Sequence, residues 1–233
     1  MLAVVVGGAC GCCCWCPIVA LDQLPPLEGH PLLCLGVIGG SGAAFSVTVR
    51  FIPNGSNKRL ISGNVSPSCQ EAVELAVVWA NSNVDRISRW LYPRQPGTEH
   101  VVLRLLDQKC DVSVHLSNVL HRKKTGFSLG AAVATALILC ALHSLGCRPR
   151  PHVAITGEIN FRGQCLPVND IGPKITAAMR SGCEVVVIPT GNQSDLEDAI
   201  AALPDEKSRE WAKRSVVLAS DMLDVLENVL EGM

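Results

Sequence analysis

Net charge is what this 233-residue chain has least of: 20 basic residues face 21 acidic ones, leaving −1 at pH 7. So even a balance excludes a strong field that would steer the protein to nucleic acid. The local run His121-Arg122-Lys123-Lys124 reads as a solvated loop. There is no internal repeat, which excludes a repeat architecture, and no low-complexity tract outside one cysteine cluster. No G-x-x-x-x-G-K-S/T segment occurs, so these residues encode no ATPase motor of the P-loop kind. Cysteine pairing is missing as well, although the chain has twelve cysteines. Five crowd into Cys10-Gly11-Cys12-Cys13-Cys14-Trp15-Cys16, and the remaining seven are scattered from Cys34 to Cys183. A scattered, odd-numbered set reads as small buried hydrophobes in a reducing compartment, cytoplasm or organelle matrix, and not as a disulfide framework. A zinc site usually joins two cysteine pairs, and no second cluster matches the first.

What is present is a globular composition, with 48% apolar and 18% charged residues. The length suffices for one sizeable core, or for a domain with extensions. Met1 to Leu21 carries no charge and is long enough to cross a bilayer. It has no basic residue ahead of its apolar part, and Gly7, Gly8, Gly11 and Pro17 interrupt it. Three readings stay open for it: a packed or mobile extension, a membrane-anchoring or acylated segment, and a metal site. Pro25-Pro26 and Pro31 read as a linker, so residues 1–31 are expected to be an extension and residues 32–233 a domain.

Within that domain Phe45 to Ile52 alternates and predicts a strand with one wet face. Pro53 to Asn57 is a turn, and Arg59 to Ser62 is expected to pair with that strand. Ser68 with Glu71 three residues on predicts a capping box opening a helix striped by Val73, Ala76, Val77 and Ala80. A short helix follows over Asp85 to Leu91, then strands over His100 to Leu106 and Asp111 to Leu116. Ser128 to Leu145 is apolar on nearly all faces and predicts a buried helix. His152 to Thr156 is a strand, and Ile159 to Val168 a hairpin turning at Arg162-Gly163. A helix over Asp170 to Ser181 stops at Gly182. Then come a strand to Ile188, a helix over Ser194 to Ala202, a strand over Ser215 to Leu218 and a closing helix over Asp221 to Leu230.

Two residues stand out chemically. Ser128 heads one helical stretch and Lys174 another. A serine hydroxyl becomes a good nucleophile only when a base takes its proton, and a lysine serves as that base if burial keeps its amine neutral. Taken singly, a serine at a helix start reads as an N-cap and a lysine there as a solvated side chain. Gly126-Phe127-Ser128-Leu129-Gly130 also fits the G-x-S-x-G nucleophile elbow. That reading needs a strand before the serine and an acid, then a histidine, well after it. The residues before Ser128 are polar and basic, and the only later histidines are His143 and His152.

The order of motifs from Lys123 to Glu197 resembles the proteolytic domain of the Lon protease family. It runs Gly126-Phe127-Ser128-Leu129-Gly130, Thr156-Gly157-Glu158-Ile159, Arg162-Gly163, Leu166-Pro167, Lys174, then Val185 to Pro189, then Asn192 to Glu197. A looser likeness extends over residues 33–231. The resemblance implies an α+β fold similar to the second domain of ribosomal protein S5. It implies a serine endopeptidase with Ser128 as nucleophile, Lys174 as general base, Thr156 orienting the amine, and Gly126 and Gly130 easing the turn into the helix. It implies no cofactor. It also implies a homo-oligomeric ring, commonly a hexamer, acting on unfolded proteins or flexible peptides. Full-length ATP-dependent members of the family fuse an ATPase motor to this domain, so the chain is expected to be a stand-alone protease domain, a truncated gene product, or a subunit whose motor is a separate partner. Five positions depart from the family pattern: Thr125 for Asp, Phe127 for Pro, Leu129 for Ala, and Asn169-Asp170 for Gly-Gly. Phe127 and Leu129 are expected to narrow the peptide groove, and Asp170 to pair with Lys174 at i,i+4 spacing. These departures motivate a second reading, a Lon-like binding or assembly module without catalysis.

Overall fold

The computed structural model describes residues 27–28, 31–53, 55–91, 110–117, 123–143 and 147–231. The strands, in chain order, are β1 (Leu27–Glu28), β2 (Leu32–Ile38), β3 (Ser41–Pro53), β4 (Arg59–Ser62), β5 (Cys110–Leu116), β6 (Val153–Ile155), β7 (Glu158–Ile159), β8 (Cys165–Leu166), β9 (Val185–Pro189) and β10 (Val216–Ala219). The helices are α1 (Pro67–Ser82), α2 (Val84–Leu91), α3 (Gly130–Leu142), α4 (Ile171–Arg180), α5 (Gln193–Ala201), α6 (Glu206–Ser215) and α7 (Met222–Val229). The expected segment Met1 to Leu21 and strand His100 to Leu106 lie outside the described residues. No helix among the described residues is long and apolar enough to cross a membrane.

The fold is α+β. One mixed sheet runs β10-β9-β6-β2-β3-β5-β4, with β1 added against β3. Strands β2, β6, β9 and β10 are parallel neighbours, while β3 lies antiparallel to both β2 and β5. Alternate residues sort the core into two layers, because successive side chains leave a strand on opposite faces. Cys34, Ile155 and Val187 pack with α1, α3 and α7 on one face. Leu35, Ala154 and Val186 pack with α4 and α6 on the other.

This two-sided burial explains what periodicity misses. β2 is nearly continuous in apolar residues and buried on both faces, so it lacks the alternation that marks a half-wet strand. β3 alternates along most of its length and is legible. The helix α6 also carries no earlier signal, since only Ala212 and Ser215 of it are buried.

One strand pairing and one helix cap differ from expectation. β4 pairs in parallel with β5, which lies between it and β3. The helix α1 is capped by Ser66, whose hydroxyl accepts from the Cys69 N–H at 3.3 Å, and not by Ser68 in a box with Glu71. The Ser68 hydroxyl instead meets Ser66 Oγ at 2.7 Å and accepts from the Gly126 N–H at 3.1 Å.

The apolar run after Ser128 becomes α3, and all thirteen of its residues are buried between the sheet and the helices α1 and α7. Burying one Leu or Ile side chain there is worth about 1.5–3 kcal/mol. The helix therefore sits as a rigid post under its own N-terminus. The β7–β8 hairpin is fastened across it. Met222 N–H donates to the Gly163 carbonyl at 2.8 Å, and Arg86 reaches the Arg162 carbonyl at 3.3 Å. Gly163 has φ +77°, and a Cβ there would collide with the Trp79 indole, so the Arg-Gly turn needs its glycine twice over.

Candidate active site

The Ser128 turn is built by a short strand-like segment laid against the start of α1. Lys124 N–H donates to the Asn64 carbonyl and Ser66 N–H to the Lys124 carbonyl, both at 2.9 Å. Gly126 turns with φ +94°, its N–H held by Ser68 and its carbonyl met by Cys69 Sγ at 3.4 Å. The Ser128 carbonyl then accepts from the Gly157 N–H at 2.8 Å and, weakly, from the Thr156 hydroxyl at 3.4 Å. Ala131 N–H returns a bond to the Gly157 carbonyl at 3.0 Å. The Thr-Gly pair at the end of β6 thus clamps the serine turn. Thr156 is buried, and its hydroxyl bonds the Ser128 carbonyl, not the Lys174 amine.

Ser128 does not cap α3. Leu129 occupies the N-cap position and no side chain serves the helix start. The N–H of Ser128 and that of Leu129 donate to no group among the described residues. Of the two glycines expected to turn the chain, Gly126 has the left-handed backbone, and Gly130 does not.

The lysine arrives from the other face of the sheet. Lys174 lies in the first turn of α4 and is 3% exposed, so the surface reading of it does not hold. Its Nζ donates to the Asn169 carbonyl at 2.8 Å. Burial holds the amine below its ordinary pKa of 10.5, and the Asp170 carboxylate opposes that shift. Cys34 is itself buried, its thiol pushed up to about 12 and therefore neutral at physiological pH. No ion pair joins Asp170 to Lys174. Asp170 sits in the left-handed region at φ 62°, ψ 44°, and its side chain makes no cap. That backbone suits a glycine and is one of the few that Asp also adopts, which accounts for Asp at this position.

Serine and lysine meet at one end of the sheet. A cavity of about 510 Å³ is lined by Gly126, Phe127 and Ser128 from one side and by Asn169, Asp170 and Lys174 from the other. Gly39 and Gly40 of the β2–β3 turn and Glu158 also line it. Thr156 and Gly130 stand outside this lining. No hydrogen bond joins Ser128 Oγ to Lys174 Nζ. The flanking bulk is placed asymmetrically. Leu129 is buried in the core, leaving the groove open on its side, whereas Phe127 is 37% exposed at the cavity wall.

Three residues escaped the sequence reading. Lys124, taken for part of a solvated loop, is 2% exposed; its Nζ donates to the Gly63 carbonyl at 2.6 Å and stands 5.6 Å from the Phe45 ring centre. Asn192 is buried and brackets Val168, accepting from its N–H and donating to its carbonyl, each at 2.8 Å. It also donates to Asp195 at 2.7 Å, so Asn and Asp three residues apart were the available signal. Glu158, within the Thr-Gly-Glu motif, lines the cavity, and the motif alone gives no sign of that position.

Comparison with known proteins agrees with the motif order. The family model of the Lon protease (S16) C-terminal proteolytic domain matches residues 37–232. The chain is 29% identical over 180 residues to Lon protease of Haemophilus influenzae, covering 77% of this chain and 20% of that protein. It is 33% identical over 178 residues to Lon protease homolog 2, peroxisomal, of Arabidopsis thaliana, covering 76% and 18%. With Lon protease of Escherichia coli it shares 28% identity over 193 residues, covering 82% and 22%. The chain spans about a fifth of the length of these relatives.

Proposed function

This chain belongs to the Lon protease (S16) family through its C-terminal proteolytic domain, and on that premise we propose that it is a serine endopeptidase acting through an acyl-enzyme on Ser128. The observation that carries the reading is that Ser128 and Lys174, brought by helices on opposite faces of the sheet, line a single cavity.

In this mechanism Lys174 takes the proton of the Ser128 hydroxyl as Oγ attacks the scissile carbonyl, then hands it to the leaving amine. Water repeats the sequence to release the acyl group. The amine must be neutral to do so, and its burial favours that form. A neutral amine that donates one hydrogen to the Asn169 carbonyl keeps its lone pair for the serine proton. The unengaged N–H groups of Ser128 and Leu129 are the donors for the tetrahedral oxyanion. With no direct Ser128–Lys174 hydrogen bond in the free enzyme, bound peptide has to bring the two together, as catalytic bonds often tighten only with substrate.

We assign the substrates as unfolded proteins and flexible peptides, the class that the resemblance to the family's proteolytic domain implies. Assembly into a homo-oligomeric ring, action with a separate ATPase, residence in a reducing compartment and membrane contact by residues 1–21 belong to the same proposal, as does the division at residue 31.

The test is cleavage of unfolded casein and short peptides without ATP by wild type and Ser128→Ala. Activity lost in the variant supports the dyad; activity retained removes Ser128 from the chemistry. The missing Ser128–Lys174 bond favours one competing reading, a binding or assembly module without catalysis. A serine-reactive fluorophosphonate probe separates them, because labelling at Ser128 that depends on Lys174 is incompatible with an inert fold.

A further inference from the structure

Phe127 and Glu158 line a second, smaller cavity as well as the first. Its volume is about 160 Å³. An apolar cavity of about 150 Å³ holds a benzene ring, so this one has room for a single side chain. Its lining is Ala72 and Leu75 of α1, Phe127, Gly130, Ile159 of β7 and two acidic residues, Glu71 and Glu158.

Glu71 has no structural duty. The helix start it was expected to cap is served by Ser66, and no hydrogen bond or ion pair engages its carboxylate among the described residues. Glu158 is likewise in no ion pair among the described residues. The cavity therefore combines an apolar wall long enough for methylene groups with two uncommitted carboxylates, one of them shared with the nucleophile's cavity. Lysine and arginine side chains have that profile, an apolar stem and a cationic head.

We propose that this second cavity is a subsite for a lysine or arginine side chain of the peptide, at a position flanking the scissile bond. The assignment rests on the peptidase reading and names its substrate class. Phe127 is the partition: it covers the stem of the bound side chain on one face and borders the reacting serine on the other. The family-unlike phenylalanine thus shapes specificity without closing the groove.

The first experiment maps the cut sites of wild type in a mixture of unstructured peptides. The expected result is enrichment of Lys and Arg at one fixed position relative to the cut. Glu71→Gln should lower kcat/KM for peptides basic at that position about tenfold and leave those with leucine there unchanged. Glu71→Lys should turn the preference toward acidic residues. Glu71 is exposed, so neither change threatens folding. No positional enrichment, or enrichment that both variants leave untouched, overturns the subsite while the peptidase reading stands. If wild type cuts nothing, the peptidase reading fails separately. The cavity is then tested by NMR titration with Nα-acetyl-lysine amide against Nα-acetyl-norleucine amide. Shifts at Leu75 and Ile159 with the lysine compound, weakened by salt and by Glu71→Gln, support the site. Equal binding of the two, or none, overturns it.

Discussion

The turn that presents Ser128 and the turn that presents Lys174 solve one problem by different means. The serine turn is held by many partners: Asn64, Ser66, Ser68 and Cys69 on the α1 side, Thr156 and Gly157 on the β6 side. Behind it stands α3, buried on every side. The lysine turn has few fastenings. Asn192 alone brackets Val168, and the lysine amine itself ties down Asn169. Its helix begins uncapped, on an exposed Asp170 in left-handed backbone. Distributed bonding tolerates single losses, whereas a turn hung on one buried amide does not. The lysine side is therefore the mechanically weaker half of the site.

The largest effect tests the chemistry the two halves share. Ser128→Ala and Lys174→Met should each lower peptidase kcat by at least about a thousandfold, and combining them should add little, because the pair acts as a unit. Rates for the double variant that fall multiplicatively would show two independent contributions. The pH profile belongs to the same test. The amine must lose its proton to act, and burial sets its pKa below 10.5, so wild-type activity should climb with pH through that lowered value and then level off. A profile that falls between pH 6 and 9 in folded protein would take the base role away from Lys174.

Next in size is the contrast in fastening. Asn192→Ala strips two hydrogen bonds from the buried Val168 backbone and should cost about 2–4 kcal/mol of stability, with a parallel fall in kcat; urea unfolding and peptide assays measure the two. Ser68→Ala removes one of several bonds on the serine turn and should cost no more than about 1 kcal/mol. If Ser68→Ala proves the more damaging, the difference between the halves is misjudged. The smallest effect is expected from Asp170→Gly. Relief of left-handed backbone is offset by the greater freedom of glycine in the unfolded chain, so stability should move by less than about 1 kcal/mol. The loss of a carboxylate that holds the amine's pKa up should shift the rise in activity to lower pH.

How much of this was legible varies with the range of the interactions. Ser128, Lys174, Thr156-Gly157 and the Arg162-Gly163 turn all carry local signatures; the structure brings the first two to one cavity, sets Thr156-Gly157 against the serine turn and leaves Arg162-Gly163 against Trp79. The helix over Asp85 to Leu91, the strand after Asp111 and the stop at Gly182 were likewise visible, as periodicity and turn chemistry are local. β2 was not, because a strand covered on both faces has no alternation to read. Lys124 looks like one more charge in a basic run until Gly63 and the Phe45 ring, distant in sequence, close around it. Asn192 is legible only as the first residue of a motif, because its partner Val168 lies 24 residues away.

By itself the sequence determined the local pieces: an all-apolar helix behind a serine, a glycine placed where the backbone must turn left-handed, and an ordered set of motifs with Ser128 and Lys174 in it. Those follow from steric limits on single residues and from apolar spacing, which need no partner to be read. Only the tertiary structure decided that helices on opposite faces of one sheet deliver serine and lysine to one cavity, that burial pulls the amine's pKa below its ordinary value, that β4 lies beside β5, and that Glu71 stands free at a second cavity. Each depends on which distant segments pack together. Burial and its effect on charge belong to the surroundings of a residue, and those exist only once the chain has folded.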